Sequence, residues 1–221
     1  MTINFNPAQL QVYLVAGTQD VPGRSLVTVV QQALASGITA FQFRDKGASQ
    51  LTATERLALG RQLKALCTAK GVPFIVDDDV DLALAIGADG IHVGQSDDQI
   101  QHVLQRVQGR LFVGLSCSTL TEIQQANRLT GLAYIGSGPI FPTTSKADAD
   151  PVVGLKQLKQ LVQTARVPIV AIGGITESQL PAIRRTGAAG SAVISMVTQS
   201  PNIQRTVRAM LSTGVTDDKI I

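Results

Sequence analysis

Gln42, Arg44 and Lys46 alternate within the run QFRDKG, a spacing that puts all three on one side of an extended segment. Arg offers a planar fork and Lys a point charge, so with an amide beside them they can bind a phosphate. The same run also reads as a solvated turn whose cations pair with Asp45. Carboxylates follow as Asp77-Asp78-Asp79 and again as Asp97-Asp98. Where two such runs end neighbouring strands, they can share a divalent ion, and Mg²⁺ accepts one or two carboxylates completed by phosphate oxygens and water. Asp79 and Asp98 read instead as helix caps or solvated side chains. A Pro/Gly-rich run, Gly136–Lys146, supplies Thr143, Thr144, Ser145 and Lys146. Gly173-Gly174 and Ile194-Ser195 close two later apolar runs, where backbone amides and missing Cβ atoms suit a phosphate cup.

Other common catalytic arrangements are not legible. His92 falls inside an apolar run and reads as a packed, hydrogen-bonded residue, while His102 falls in a helical stretch. Cys117 has no evident His partner and reads as a small packing residue. With only Cys67 beside it, a four-cysteine zinc site and a disulfide-dense scaffold are both excluded. The polar inventory is that of two anion sites with a divalent ion between them, suited to electrostatic catalysis on a pyrophosphate.

Short apolar runs alternating with helical stretches must position these groups. Strands are predicted at Val12–Val15, Ala40–Phe43, Phe74–Val76, Gly90–Val93, Leu111–Gly114, Ala133–Gly136, Ile169–Ala171 and Ser191–Ile194. Helices are predicted near Ser25–Ala35, Leu51–Lys70, Val80–Ile86, Gln99–Val107, Leu120–Leu129, Leu155–Thr164, Ser178–Thr186 and Asn202–Leu211. Ser25 has the position of an N-cap, and Thr119 with Glu122 the spacing of a capping box. Gly37, Gly71, Gly87 and Gly187 follow helical stretches as left-handed terminators. Eight strands alternating with about eight helices favour a parallel α/β sheet closed into a single (β/α)8 TIM barrel over residues 1–221, with 213–221 as a frayed tail. An open doubly wound sheet is the alternative, but no GxGxxG turn follows the first strand.

Composition agrees with a buried parallel core. Charged residues are 16% of the 221, against about 25% in ordinary domains, and aromatics are 4%, so aliphatic residues and 20 Gly carry the packing. The formal charge of +3, with no Trp and no Lys/Arg block, does not describe a nucleic-acid binder. No signal peptide and no apolar stretch of about 18 residues is apparent, so neither membrane insertion nor secretion is expected. A cytoplasmic enzyme acting on small molecules is the expectation, with self-association into a homo-oligomer left open.

Taken together, GITAFQFRDKG, VPFIVDDDVDLALAIGADGIHVGQSD, VGLSCST, YIGSGPIFPTTSK, VPIVAIGGIT and AVISMV stand in family order. The chain closely resembles the thiamine-phosphate synthase family of barrel enzymes from Val12 to Arg208. The resemblance implies joining of a pyrimidine methyl pyrophosphate to a thiazole phosphate, through a dissociative, carbocation-like step that releases pyrophosphate. It implies that Gln42, Arg44 and Lys46 contact the pyrophosphate, together with the intervening Phe43 and Asp45, and that Lys146 closes over it. Asp78 and Asp97 are implied to hold Mg²⁺, and Ser116 to sit beside the pyrimidine. Arg44, Lys46, Lys146 and Ser116 are thereby implied as catalytic, and Thr143, Thr144, Ser145, Gly174, Ile194 and Ser195 as contacts of the thiazole phosphate. The loop Pro139–Asp150 is expected to cover the site and exclude water.

Two positions depart from the family pattern. Asp77, a substrate contact by resemblance, stands where the family has Asn, exchanging a group that can donate for one that only accepts when ionised, so that it would bind water or metal or accept from the pyrimidine amino group. Ser118 stands where the family usually has His. The related thiazole tautomerase uses a His in this region, so Ser118 favours the synthase over a tautomerase-like isomerase. A non-catalytic barrel that binds thiamine phosphates is a third reading, opposed by the intact cation set.

Overall fold

The computed structural model describes residues 5–95, 97–143 and 151–212, the side chains of 97–99 excepted. Its eight strands are β1 (Val12–Ala16), β2 (Ala40–Phe43), β3 (Phe74–Asp77), β4 (Gly90–Val93), β5 (Phe112–Ser116), β6 (Leu132–Ser137), β7 (Ile169–Ile172) and β8 (Gly190–Val193). They close into one parallel barrel in chain order, with β8 pairing back onto β1 through Tyr13 and Ala192. The expected α/β barrel is therefore the observed fold.

Alternation along the strands separates two apolar layers. Tyr13, Val15, Ile75, Phe112, Tyr134 and Val170 point into the barrel. Leu14, Phe41, Phe43, Val76, Ile91 and Ile135 point outward, against the helices. Nearly every strand residue is buried on one side or the other, which is why the strands read as continuous apolar runs rather than as alternating ones.

The helices described are α1 (Leu26–Ser36), α2 (Ala53–Thr68), α3 (Val80–Ile86), α4 (Asp97–Val107), α5 (Leu120–Ala126), α6 (Gly154–Thr164), α7 (Leu180–Arg184), α8 (Ser195–Thr198) and α9 (Ile203–Ser212). Ser25 accepts from the Thr28 amide, and Thr119 and Glu122 form the expected capping box at α5; such a cap contributes about 1 kcal/mol. Gly37 and Gly87 end α1 and α3 in the left-handed conformation.

Three differences from the sequence reading have local causes. The segment before β1 forms a 3-10 turn at Pro7–Leu10, and Phe5 stacks on Tyr134 and lies tilted against Phe112, with ring centroids 5.7 and 5.1 Å apart. This segment plugs the amino-terminal end of the barrel. α5 stops at Ala126 rather than Leu129, with Asn127 as its C-cap, whose side chain accepts from the Arg166 amide and donates to the Thr164 carbonyl. The helix expected at Ser178–Thr186 is a 3-10 turn, Glu177–Gln179, followed by the short α7. The tail 213–221, expected to fray, lies outside the described residues.

Candidate active site

A cavity of about 480 Å³ opens at the carboxyl ends of the strands, a size that accommodates a small phosphorylated ligand. Gln42, Arg44 and Lys46 all line it, as their alternation requires. Phe43 and Asp45 do not line it. Phe43 packs in the outer layer against Phe74, at a ring separation of 6.3 Å. Asp45 accepts from the Thr18 amide at 2.9 Å and from the Ser49 hydroxyl at 2.6 Å, tying the β1 and β2 loops together. The physical reason is the same alternation that sends their neighbours inward.

The cations pair across to β3 rather than with Asp45. Arg44 Nε lies 3.4 Å and Lys46 Nζ 2.8 Å from Asp77 Oδ2, and Lys46 also bonds Asp78. Asp78 is one of the few non-glycine residues with a left-handed backbone, at φ 56°, a conformation that Asp tolerates better than most residues. Its amide donates to the His92 carbonyl at 2.8 Å. That kink brings the carboxylate back over the mouth, where it meets Lys46. Burial alone would lower the Lys46 ammonium, but hydrogen bonds and charge from Asp77 and Asp78 outweigh it and raise the group above its usual value. Its folded value is raised, so its contribution is fully present at neutral pH and is lost only as strong alkali deprotonates it. Asp79 caps α3 by accepting from the Leu82 amide, as expected.

Gln19, which the sequence did not single out, holds the β2 loop in place. Its Nε2 donates to the Arg44 carbonyl at 2.7 Å and its Oε1 accepts from the Lys46 amide at 3.3 Å.

On the far side, Thr143, Gly174, Ile194 and Ser195 line the same cavity. Gly174 has φ +65°, and a Cβ there would lie 2.4 Å from the Pro142 carbonyl oxygen. The β6 loop therefore runs against the end of β7 at backbone distance, with Phe141 donating to the Gly173 carbonyl. Thr144, Ser145, Lys146 and the rest of 144–150, like the Asp97 side chain, lie outside the described residues.

The cavity floor is polar, and this the sequence did not reveal. Gln42 Nε2 is 2.8 Å from the Tyr13 hydroxyl, which is 2.8 Å from the Tyr134 hydroxyl. Tyr134 is 3.0 Å from His92 Nδ1, and His92 Nε2 is 3.0 Å from Ser116 Oγ. His92 is thus held at both ring nitrogens and stacks on Tyr134. The available signal was that both tyrosines of the chain fall inside strands, where a buried hydroxyl must find a partner.

Ser118 braces the β5 and β6 loops: its hydroxyl donates to the Gly138 carbonyl and its amide to Glu122. Cys117 is buried beside Gln95, and burial pushes its thiol up to about 12; Cys67 behaves likewise. Both thiols are expected to resist iodoacetamide at pH 8 in the folded protein, read by intact mass. Labelling of the native chain as fast as that of the denatured chain would contradict their burial.

The model of the family described as thiamine monophosphate synthase matches residues 12–197, which include every described residue of this cavity's two sides. The chain belongs to the thiamine monophosphate synthase family. A thiamine-phosphate synthase of Lactiplantibacillus plantarum is 68% identical over 212 residues, spanning 96% of this chain and 98% of that protein. Another, of Levilactobacillus brevis, is 61% identical, spanning 95% and 97%. Among solved structures, a thiamine phosphate pyrophosphorylase from Pyrococcus furiosus superposes with a TM-score of 0.83 at 32% identity, over 94% of this chain and 97% of that one. Membership of the synthase family makes the chain a transferase of thiamine biosynthesis. Among the described residues, no helix is long and apolar enough to cross a membrane.

Proposed function

We propose that this cavity joins a pyrimidine methyl pyrophosphate to a thiazole phosphate, giving thiamine phosphate and pyrophosphate, within one barrel domain of a cytoplasmic enzyme. The observation that carries the reading is the layout of the cavity. Cations and carboxylates from β2 and β3 stand at one side, and the glycine-rich end of β7 with Ile194 and Ser195 stands at the other.

Arg44 and Lys46 are assigned to the pyrophosphate, where they offset the charge that grows on the leaving oxygen as the methylene carbon–oxygen bond breaks. The electron pair leaves with the pyrophosphate. The methylene becomes a carbocation stabilised by the pyrimidine ring, and the thiazole nitrogen donates its lone pair to form the new bond. That nitrogen carries no proton, so no base is required. Lys146 is assigned by resemblance to the same pyrophosphate, and Thr143, Thr144, Ser145, Gly174, Ile194 and Ser195 to the thiazole phosphate.

The donor chemistry fits Mg²⁺. Asp78 offers a hard carboxylate at the mouth, about half exposed, and no cluster of three His, Cys, Asp or Glu side chains among the described residues would hold an ion alone. This suits an ion completed by substrate oxygens and water. Asp78 and Asp97 would hold it, and it would supply further charge stabilisation to the departing pyrophosphate.

Purified protein given both substrates and Mg²⁺ is expected to yield thiamine phosphate and pyrophosphate in equal amounts. No product at any Mg²⁺ concentration would overturn the reading. Asp97→Ala is expected to raise the Mg²⁺ needed for half-maximal rate by about tenfold or more, a loss of one charged ligand, with the melting temperature little changed. An unaltered Mg²⁺ dependence would remove Asp97 from the metal site.

A further inference from the structure

Side chains from five strands cross the cavity floor as one chain of hydrogen bonds, from Gln42 through Tyr13, Tyr134 and His92 to Ser116. Its direction follows from donor bookkeeping. Gln42 Nε2 has hydrogens to give and no lone pair to offer, so the Tyr13 oxygen accepts from it. Tyr13 is 1% exposed, and its own hydrogen then needs an acceptor, which the Tyr134 oxygen provides at 2.8 Å. Were Tyr134 to donate to Tyr13 instead, the Tyr13 hydrogen would be buried without an acceptor among these groups, a costly arrangement.

The Tyr134 hydrogen therefore points to His92 Nδ1. A ring nitrogen that accepts carries no proton, so the neutral imidazole is protonated at Nε2. In that tautomer Nε2 would donate to Ser116 Oγ, 3.0 Å away. The Ser116 hydroxyl has then received its bond from below, and its own hydrogen is left for the cavity that it lines. Burial raises both phenols, Tyr13 and Tyr134, so both remain protonated donors through the neutral range.

We propose that the chain is polarised from Gln42 to Ser116, so that Ser116 acts as a fixed donor to a lone pair on the bound heterocycle, with Tyr13, Tyr134 and His92 as positioning residues. This rests on the reading of the cavity as the pyrimidine site. It adds a criterion of specificity. A ring that presents a lone pair to Ser116 completes the chain, whereas one presenting C–H or N–H there leaves a hydrogen unpaired and is disfavoured.

The tautomer can be read without turnover, by ¹⁵N NMR of histidine-labelled protein. The chain has two histidines, and the exposed His102 is assigned by His102→Gln. In the native protein, His92 Nδ1 is expected to resonate as an unprotonated nitrogen and Nε2 as a protonated one. Tyr134→Phe is expected to shift His92 toward the Nδ1-protonated form. It should also lower kcat/KM for the pyrimidine pyrophosphate by about tenfold or more, while KM for the thiazole phosphate stays within about twofold. A native His92 protonated at Nδ1 would reverse the chain and overturn the proposal. So would a Tyr134→Phe protein that keeps both the native tautomer and the native kcat/KM. Should that variant fail to fold, the native tautomer alone decides the direction. If the tautomer is as expected and no thiamine phosphate forms, the polarity stands and the functional reading is what fails.

Discussion

Lys46→Met is expected to lower kcat/KM for the pyrimidine pyrophosphate by about 10³-fold, or about 4 kcal/mol of transition-state stabilisation. The size follows from what Lys46 would do: it places a full positive charge where the leaving oxygen becomes more negative. Because that charge develops only as the bond breaks, the loss should fall mainly on kcat rather than KM. The fold should tolerate the change. Lys46 is more than a third exposed, and solvent screening limits what its ion pairs contribute to about 1 kcal/mol. Asp77 would keep Arg44 as a neighbour. Lys46→Arg is expected to recover part of the rate, since it restores charge with a differently shaped donor. Steady-state kinetics with a thermal melt check both statements; a Lys46→Met protein within about tenfold of native kcat would exclude Lys46 from charge stabilisation.

The second large effect is on the fold alone. Gly190→Ala is expected to destabilise the protein by about 3 kcal/mol or more, within the range for backbone overpacking. A Cβ at Gly190 would lie 1.9 Å from the Leu10 carbonyl oxygen and 2.5 Å from the Gln11 Cα. Both are backbone atoms and cannot move aside by a change of rotamer. They belong to the segment that enters β1, beside the seam where β8 closes the barrel. The site lies at the opposite end of the strands, so molecules that remain folded should keep native KM values. Denaturant unfolding checks the first part; an unchanged midpoint would mean that the seam relaxes where the geometry says it cannot.

The barrel was legible because its signals are local. The apolar run Ala40–Phe43 is β2 residue for residue, and Val80–Ile86 is α3, bounded by the Asp79 cap and Gly87. The β8 boundary shifted by one residue because Ile194 leaves the strand, with φ −111° and ψ −86°, to begin the four-residue α8. Nothing in such a short apolar stretch separates a strand end from a single helical turn.

The site was legible where alternation along one extended segment places side chains together at the cavity, as for Gln42 on β2 and Arg44 and Lys46 just beyond it. It was not legible where partners meet across the barrel. Tyr13 and Tyr134 are 121 positions apart in the chain, and their contact depends on closure of the whole sheet. The pairing of Lys46 with Asp77 and Asp78 is intermediate, since adjacent strand ends were expected but their direct contact was not. The Asp77 departure from the family Asn acquires a physical role there, as the carboxylate that both cations touch.

That arrangement has a consequence for which molecules gain entry. A cleft of one sign draws anions from a distance, and draws all of them alike. At this mouth Arg44 and Lys46 already face Asp77 and Asp78, so these four charges largely offset one another. An arriving polyanion gains little until it displaces those carboxylates or brings its own compensating charge. Selection is thereby moved from approach to contact. Between these four groups and a free phosphate or nucleotide, long-range attraction is weak, and what discriminates is the contact itself.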